Sequence, residues 1–117
     1  MKQNFVTING VDYPVIFTLL TLTNFEDIAN KGFFEANLNT TNNRRALIMG
    51  AVLAADKKTK LTMDELIALE GWDGYMQIKK ANDVIMALAN DFFPIPEVEP
   101  KPEQPAEEKT EEEGVKN

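Results

Sequence analysis

The chain has 117 residues, enough for one domain, and a net charge of −7 with no cysteine or histidine. The missing cysteine excludes disulfides and thiolate chemistry, and with serine also absent, serine–histidine nucleophilic catalysis is excluded too. The acidic balance is the wrong sign for displacing counterions from nucleic acid.

That acidity is unevenly placed. Up to Phe93, eleven acidic residues face nine basic ones; from Pro94 onward, eight glutamates face three lysines. The first part is close to neutral, and the acidity belongs to the C-terminal stretch. The opening Met-Lys-Gln-Asn-Phe-Val-Thr has no apolar core of the signal-peptide kind. With no membrane-length apolar run either, a cytoplasmic protein is expected.

In chain order, the first element predicted is a β-hairpin over Phe5 to Phe17. Asn9-Gly10 suits a type I′ turn, whose central residues both need positive φ. A two-residue loop would pair Ile8 with Val11 and Val6 with Tyr13, on one face continued by Val15 and Phe17. Pro14 cannot donate to a ladder and marks an edge. A lone hairpin is marginal in water, so this face must rest on helices.

A first helix follows, capped by Thr18 or Thr21 and running to about Asn30. Leu19, Leu22, Phe25, Ile28 and Ala29 follow helical spacing, and Gly32 suits a left-handed ending. Phe33 and Phe34 are expected to tuck back against the core before an asparagine-rich connection, 35–43.

The next helix is capped by Thr41 or Asn42. From Ala46 to Ala55 no side chain is polar. A helix apolar all round is buried or spans a membrane, and this run is far shorter than the ~20 residues a bilayer needs. Burial is therefore expected, with Gly50 and the alanines letting neighbouring helices approach closely.

Thr62 and Glu65 form a capping box, and Leu61 can staple to Leu66, opening a short helix from Met63 to Glu70. The last helix is predicted from Asp73 to Asp91. Its seam is Tyr75, Ile78, Asn82, Ile85, Ala89 and Phe92, with Met76, Val84 and Leu88 beside it.

In 94–117, ordering costs roughly 1–2 kcal/mol per residue. Only Ile95, Val98 and Val115 could return ~1.5–3 kcal/mol each, so disorder is expected. The fold expected is α+β, mostly α: a hairpin on about four helices over 1–93, then a disordered Pro/Glu-rich tail over 94–117.

No motif carries chemistry. The adjacent carboxylates Glu26-Asp27 and Asp64-Glu65 do not face one another on a helix and read as solvated helix-end charge. The stretch from Asp56 has the outline of an EF-hand loop. Its third and fifth positions are Lys58 and Lys60, its sixth is Leu61 instead of glycine, and its twelfth is Ile67 instead of glutamate. It reads as an interhelical loop, and no glycine-rich phosphate loop is present. No cofactor or metal is expected.

What remains is adhesive surface. Arg44 and Arg45, the only arginines, sit near a helix N-terminus, where the dipole disfavours cations. They could pair with acids such as Glu35, face solvent, or meet an acidic partner. Trp72, Tyr75, Phe92 and Phe93 bracket the last helix, and Met49, Met63 and Met76 add adaptable apolar surface. These side chains are either core or an interface.

The order of features resembles the tail assembly chaperones of long-tailed bacteriophages. The residues that carry the likeness are Thr7-Ile8-Asn9-Gly10-Val11-Asp12-Tyr13, then Phe17-Thr18-Leu19-Leu20, and Phe25-Glu26-Asp27 leading to Lys31-Gly32. The apolar helix from Arg45 to Asp56, a final helix and a Pro/Glu-rich end complete it. The likeness covers most of Thr7 to Phe93, with no single diagnostic motif.

The resemblance implies a non-enzymatic role in the host cytoplasm. Such chaperones bind the long, aggregation-prone, helical tape-measure protein before the tail tube polymerises around it, and some also exist in a frameshift-extended form. Tape-measure or tail-tube protein is the implied partner, with no nucleic acid and no membrane, and self-association is open. The candidate contact residues are Arg44, Arg45, Trp72, Tyr75, Met76, Phe92 and Phe93. The competing readings are a structural tail or connector subunit and a small regulatory protein acting through its acidic tail.

Overall fold

The computed structural model describes residues 4–93; the tail expected to be disordered lies outside the described residues. The chain forms a two-stranded antiparallel sheet and four α-helices. These are β1 (Asn4–Ile8), β2 (Val11–Val15), α1 (Leu19–Ala29), α2 (Thr41–Ala55), α3 (Met63–Ile67) and α4 (Gly71–Phe92). A 3₁₀ turn, Phe33–Glu35, lies between α1 and α2. The fold is thus α+β and mostly α, as the residue pattern predicts. No helix of the described residues is long and apolar enough to cross a membrane.

The hairpin has the expected register: Ile8 opposite Val11, Val6 opposite Tyr13, Asn4 opposite Val15. Asn9 and Gly10 have φ of 51° and 80°, the left-handed pair a type I′ turn requires. Val6, Ile8, Val15 and Phe17 are buried. Val11 shares their face but is 50 % exposed, because it adjoins the turn, past the helices that cover the rest.

Helix α1 begins after Thr18, as expected, but its buried line differs from the apolar spacing. Thr21 and Phe25 are fully enclosed, whereas Leu19 is 70 % exposed. Thr21 earns its place by hydrogen bonding. Its hydroxyl accepts from the Thr18 N–H at 3.0 Å and donates to the Ile16 carbonyl at 2.9 Å, so the polar atom is satisfied inside. The left-handed residue ending α1 is Asn30, at φ 58°, in place of Gly32. Phe33 tucks into the core as expected; Phe34 does not and stands 79 % exposed.

Helix α2 is the centre of the packing. Every residue from Ala46 to Val52 is buried. The closest approach is at Gly50, where an added Cβ would lie 3.1 Å from the Phe25 nitrogen and 3.2 Å from the Thr21 oxygen. The Asn24 amide donates to the Gly50 carbonyl at 3.2 Å across the same crossing.

Helix α3 opens on the predicted capping box: the Glu65 carboxylate accepts from the Thr62 N–H at 3.0 Å, and the Thr62 hydroxyl accepts from the Glu65 N–H at 3.2 Å. It ends at Ile67, sooner than expected, and α4 starts two residues early, at Gly71. Along α4, Ile78, Ala81, Asn82, Ile85 and Ala89 face the core. The Asn82 side-chain amide oxygen, Oδ1, is buried without a hydrogen-bond partner among the described residues.

Two stability outcomes follow from these contacts. Gly50→Ala gains up to about 1 kcal/mol of helix propensity but forces overpacking that costs about 1–3 kcal/mol. Net destabilisation is expected, seen as a lower urea midpoint. Asn82→Leu removes an unsatisfied buried acceptor, whose cost is about 1–3 kcal/mol, and is expected to raise the same midpoint.

Candidate functional site

The sequence singles out seven candidate contact residues; the structure sorts them into two surface patches and two internal braces. The braces are the arginines. Arg44 Nε donates to the Leu38 carbonyl at 3.1 Å, and Arg45 Nε donates to the Leu66 carbonyl at 3.2 Å. The neighbouring Asn43 amide donates to the Asn37 carbonyl at 2.9 Å. Three successive side chains at the start of α2 thus hold the asparagine-rich loop and the end of α3. Neither pairing with Glu35 nor plain solvation describes the arginines. Carbonyl oxygens offset the unfavourable placement of cations at a helix N-terminus.

The first patch is built on this brace. Trp72 and Tyr75, one helical turn apart on α4, stack with ring centroids 5.3 Å apart at 26°. Behind them the Arg44 guanidinium lies 5.9 Å from the Tyr75 ring centre, with its Nη1 3.4 Å from the phenol oxygen. A cation held over an aromatic face fixes that ring electrostatically. Trp72 is 74 % exposed. Tyr75, Arg45, Leu69, Gly71, Gly74, Thr41 and Ile78 line a shallow hollow of about 180 Å³ beside it. Met76 is partly buried next in sequence.

The second patch lies at the far end of α4. Phe17, Phe25, Phe33, Phe34, Phe92 and Phe93 form one connected aromatic cluster. Phe33 packs edge-on to Phe17 and Phe25 at 5.9 and 5.5 Å, and Phe93 reaches Phe17 and Phe34 at 5.7 and 5.4 Å. Edge-to-face geometry is the favoured arrangement of such rings. Phe93 is partly buried; Phe92 and Phe34 form the exposed rim.

Sequence reading places Trp72, Tyr75, Met76, Phe92 and Phe93 together in one set of candidate contact residues about the last helix. The structure does not. Trp72 and Phe92 are twenty positions apart, about 30 Å at 1.5 Å per residue, and at 100° per residue they point to nearly opposite sides of α4. Phe34, like Leu19, is a surface residue that sequence reasoning placed inside. Its only sequence signal is that it adjoins Phe33. Met49 is core, not surface.

Two of the remaining carboxylates, Glu26 and Asp56, hold main-chain N–H groups. The Glu26 carboxylate accepts from the Phe33 N–H at 3.2 Å, tying the 3₁₀ turn to α1. The Asp56 carboxylate accepts from the Lys58 N–H at 3.0 Å inside the loop that has the EF-hand outline. Among the described residues no three acidic side chains converge as a metal seat. No family model, curated protein or solved structure matches the chain.

These placements separate surface from brace by experiment. Trp72→Ala is expected to change unfolding free energy by less than about 0.5 kcal/mol, as exposed substitutions do. Arg45→Ala, which releases the Leu66 carbonyl, is expected to cost about 1–2 kcal/mol. Paired denaturation curves compare them directly.

Proposed function

We propose that this chain is a non-catalytic assembly chaperone of the phage-tail kind, which holds the apolar stripe of a helical client until assembly covers it. The reading joins the sequence resemblance to one observation. A tryptophan 74 % exposed to solvent is stacked on Tyr75, which the Arg44 guanidinium holds from the other side of the pair. Fixed aromatic rings lose little entropy on binding, and tryptophan, tyrosine and arginine are the side chains that most often dominate interface energy.

The client suggested is tape-measure or tail-tube protein in the host cytoplasm. Its apolar face would lie on Trp72 and Tyr75, in the manner of an amphipathic helix set on a hydrophobic seat. The Phe34–Phe92 rim, about 30 Å away on another side, would meet a different part of the client or a different client. The acidic residues of 94–117 would keep the complex soluble by charge repulsion.

The test is co-expression with a long helical tape-measure protein, followed by pull-down and a binding isotherm. Trp72→Ala and Tyr75→Ala are each expected to weaken capture by roughly 30-fold, the effect of losing a hot-spot side chain. Full capture by both variants, each still folded, would remove this surface from consideration. Stoichiometric copies of the protein in purified virions would favour a structural subunit instead.

A further inference from the structure

The sheet has only two strands, so each has an outer edge. The two edges are unlike. In a two-residue hairpin the pair flanking the turn, Ile8 and Val11, is hydrogen-bonded, and pairs alternate from there. Val6 with Tyr13 is therefore also bonded. Thr7 with Asp12, and Phe5 with Pro14, turn their main-chain groups outward. Pro14 occupies an outward position, where its missing N–H costs the ladder nothing and blunts the edge of β2. The edge of β1 has no such block. It presents N–H and C=O of both Phe5 and Thr7, with no main-chain partner for them among the described residues.

Beside that edge lies a groove of about 330 Å³ between β1 and α4. Phe5, Thr7, Val6 and Ala81 line its strand side and floor, and Gln77, Lys80 and Val84 the helix side. The turn end is closed by the Asn9 N–H, which donates to Gln77 Oε1 at 2.7 Å. Lys80 is the one charged residue in the lining, is exposed, and has no ion-pair partner among the described residues, whereas its neighbour Lys79 is paired with Asp83 at 3.1 Å.

The geometry points to a second binding site, in which the free edge of β1 takes an extended acidic segment of a partner protein as a third strand, seated between β1 and α4. Unpaired strand groups supply affinity for any main chain. Alternate side chains then supply selectivity: apolar ones toward Val6 and Ala81, and a carboxylate toward Lys80. A second copy of this chain fits poorly. Its β1 would arrive with its own α4 along the edge to be paired, and would bring two Lys80 side chains together. The site makes no use of Trp72, so it stands or falls separately from the helical client surface.

Amide NMR on the full chain tests this with a short blocked peptide in which valine and glutamate occupy every second position, on one face, with threonine between them, and a twin carrying lysine for glutamate. The glutamate peptide is expected to shift the Phe5 and Thr7 amides and slow their exchange. The lysine twin should bind roughly fivefold more weakly, the effect of one rim charge. Lys80→Glu, an exposed change, should reverse that order. Thr7→Pro should abolish binding while leaving the β1–β2 main-chain bonds intact, since on the main chain it removes only an outward N–H; Thr7→Val, which loses only the side-chain bond to Asp12, should still bind. Unperturbed Phe5 and Thr7 amides at saturating peptide, or a charge preference that ignores Lys80→Glu, would overturn the proposal. So would protection of both amides before peptide is added: concentration-dependent protection would mean a second copy, and concentration-independent protection would mean residues 94–117 of the same chain.

Discussion

Every other element of this domain is arranged by the need to keep α2 away from water. A helix without a polar side has no stable position at a surface, so it must be walled on all sides. α1 crosses it at Gly50, closely enough that a methyl group would strike the Phe25 and Thr21 main chain. The other walls are α4, β2 and α3. The buried stretch ends at Val52, and Leu53 to Ala55 are only partly covered.

The polar groups serve the same arrangement. Asn43, Arg44 and Arg45 stand just before the apolar run and reach three carbonyls, those of Asn37, Leu38 and Leu66. They anchor segments with too little apolar surface to anchor themselves, a loop and a five-residue helix. One of these anchors, Arg44, also lies over Tyr75. The brace and the exposed Trp72–Tyr75 stack are therefore mechanically joined, and a surface aromatic pair acquires an orientation that a solvated tyrosine would lack. At the other end of α4, six phenylalanines close the core, and two of them overhang it. The outward rings thus sit where the helix runs past its neighbours, not along its middle.

The small sheet shows a comparable asymmetry. Val6, Ile8 and Val15 tie it to the core by one face. Proline protects one outer edge, and the other borders a groove with a single lysine. An edge strand left open invites pairing; here α4 narrows what can approach.

Short-range features were legible in the sequence. The hairpin register follows from Asn9-Gly10 and a period of two, the Thr62–Glu65 box from a spacing of three, and the burial of the middle of α2 from the absence of any polar side chain in 46–55. Each depends on residues a few positions apart, whose geometry the main chain sets. The tertiary structure alone decided which of two equal candidates goes inside: Phe33 over Phe34, Thr21 over Leu19, Phe93 over Phe92. It also decided what the arginines hold, and that Trp72 and Phe92 belong to different surfaces. Those choices depend on which distant segment occupies the adjoining volume, and on carbonyls left over where helices and loops end. Neither is encoded in the identity of the residue itself.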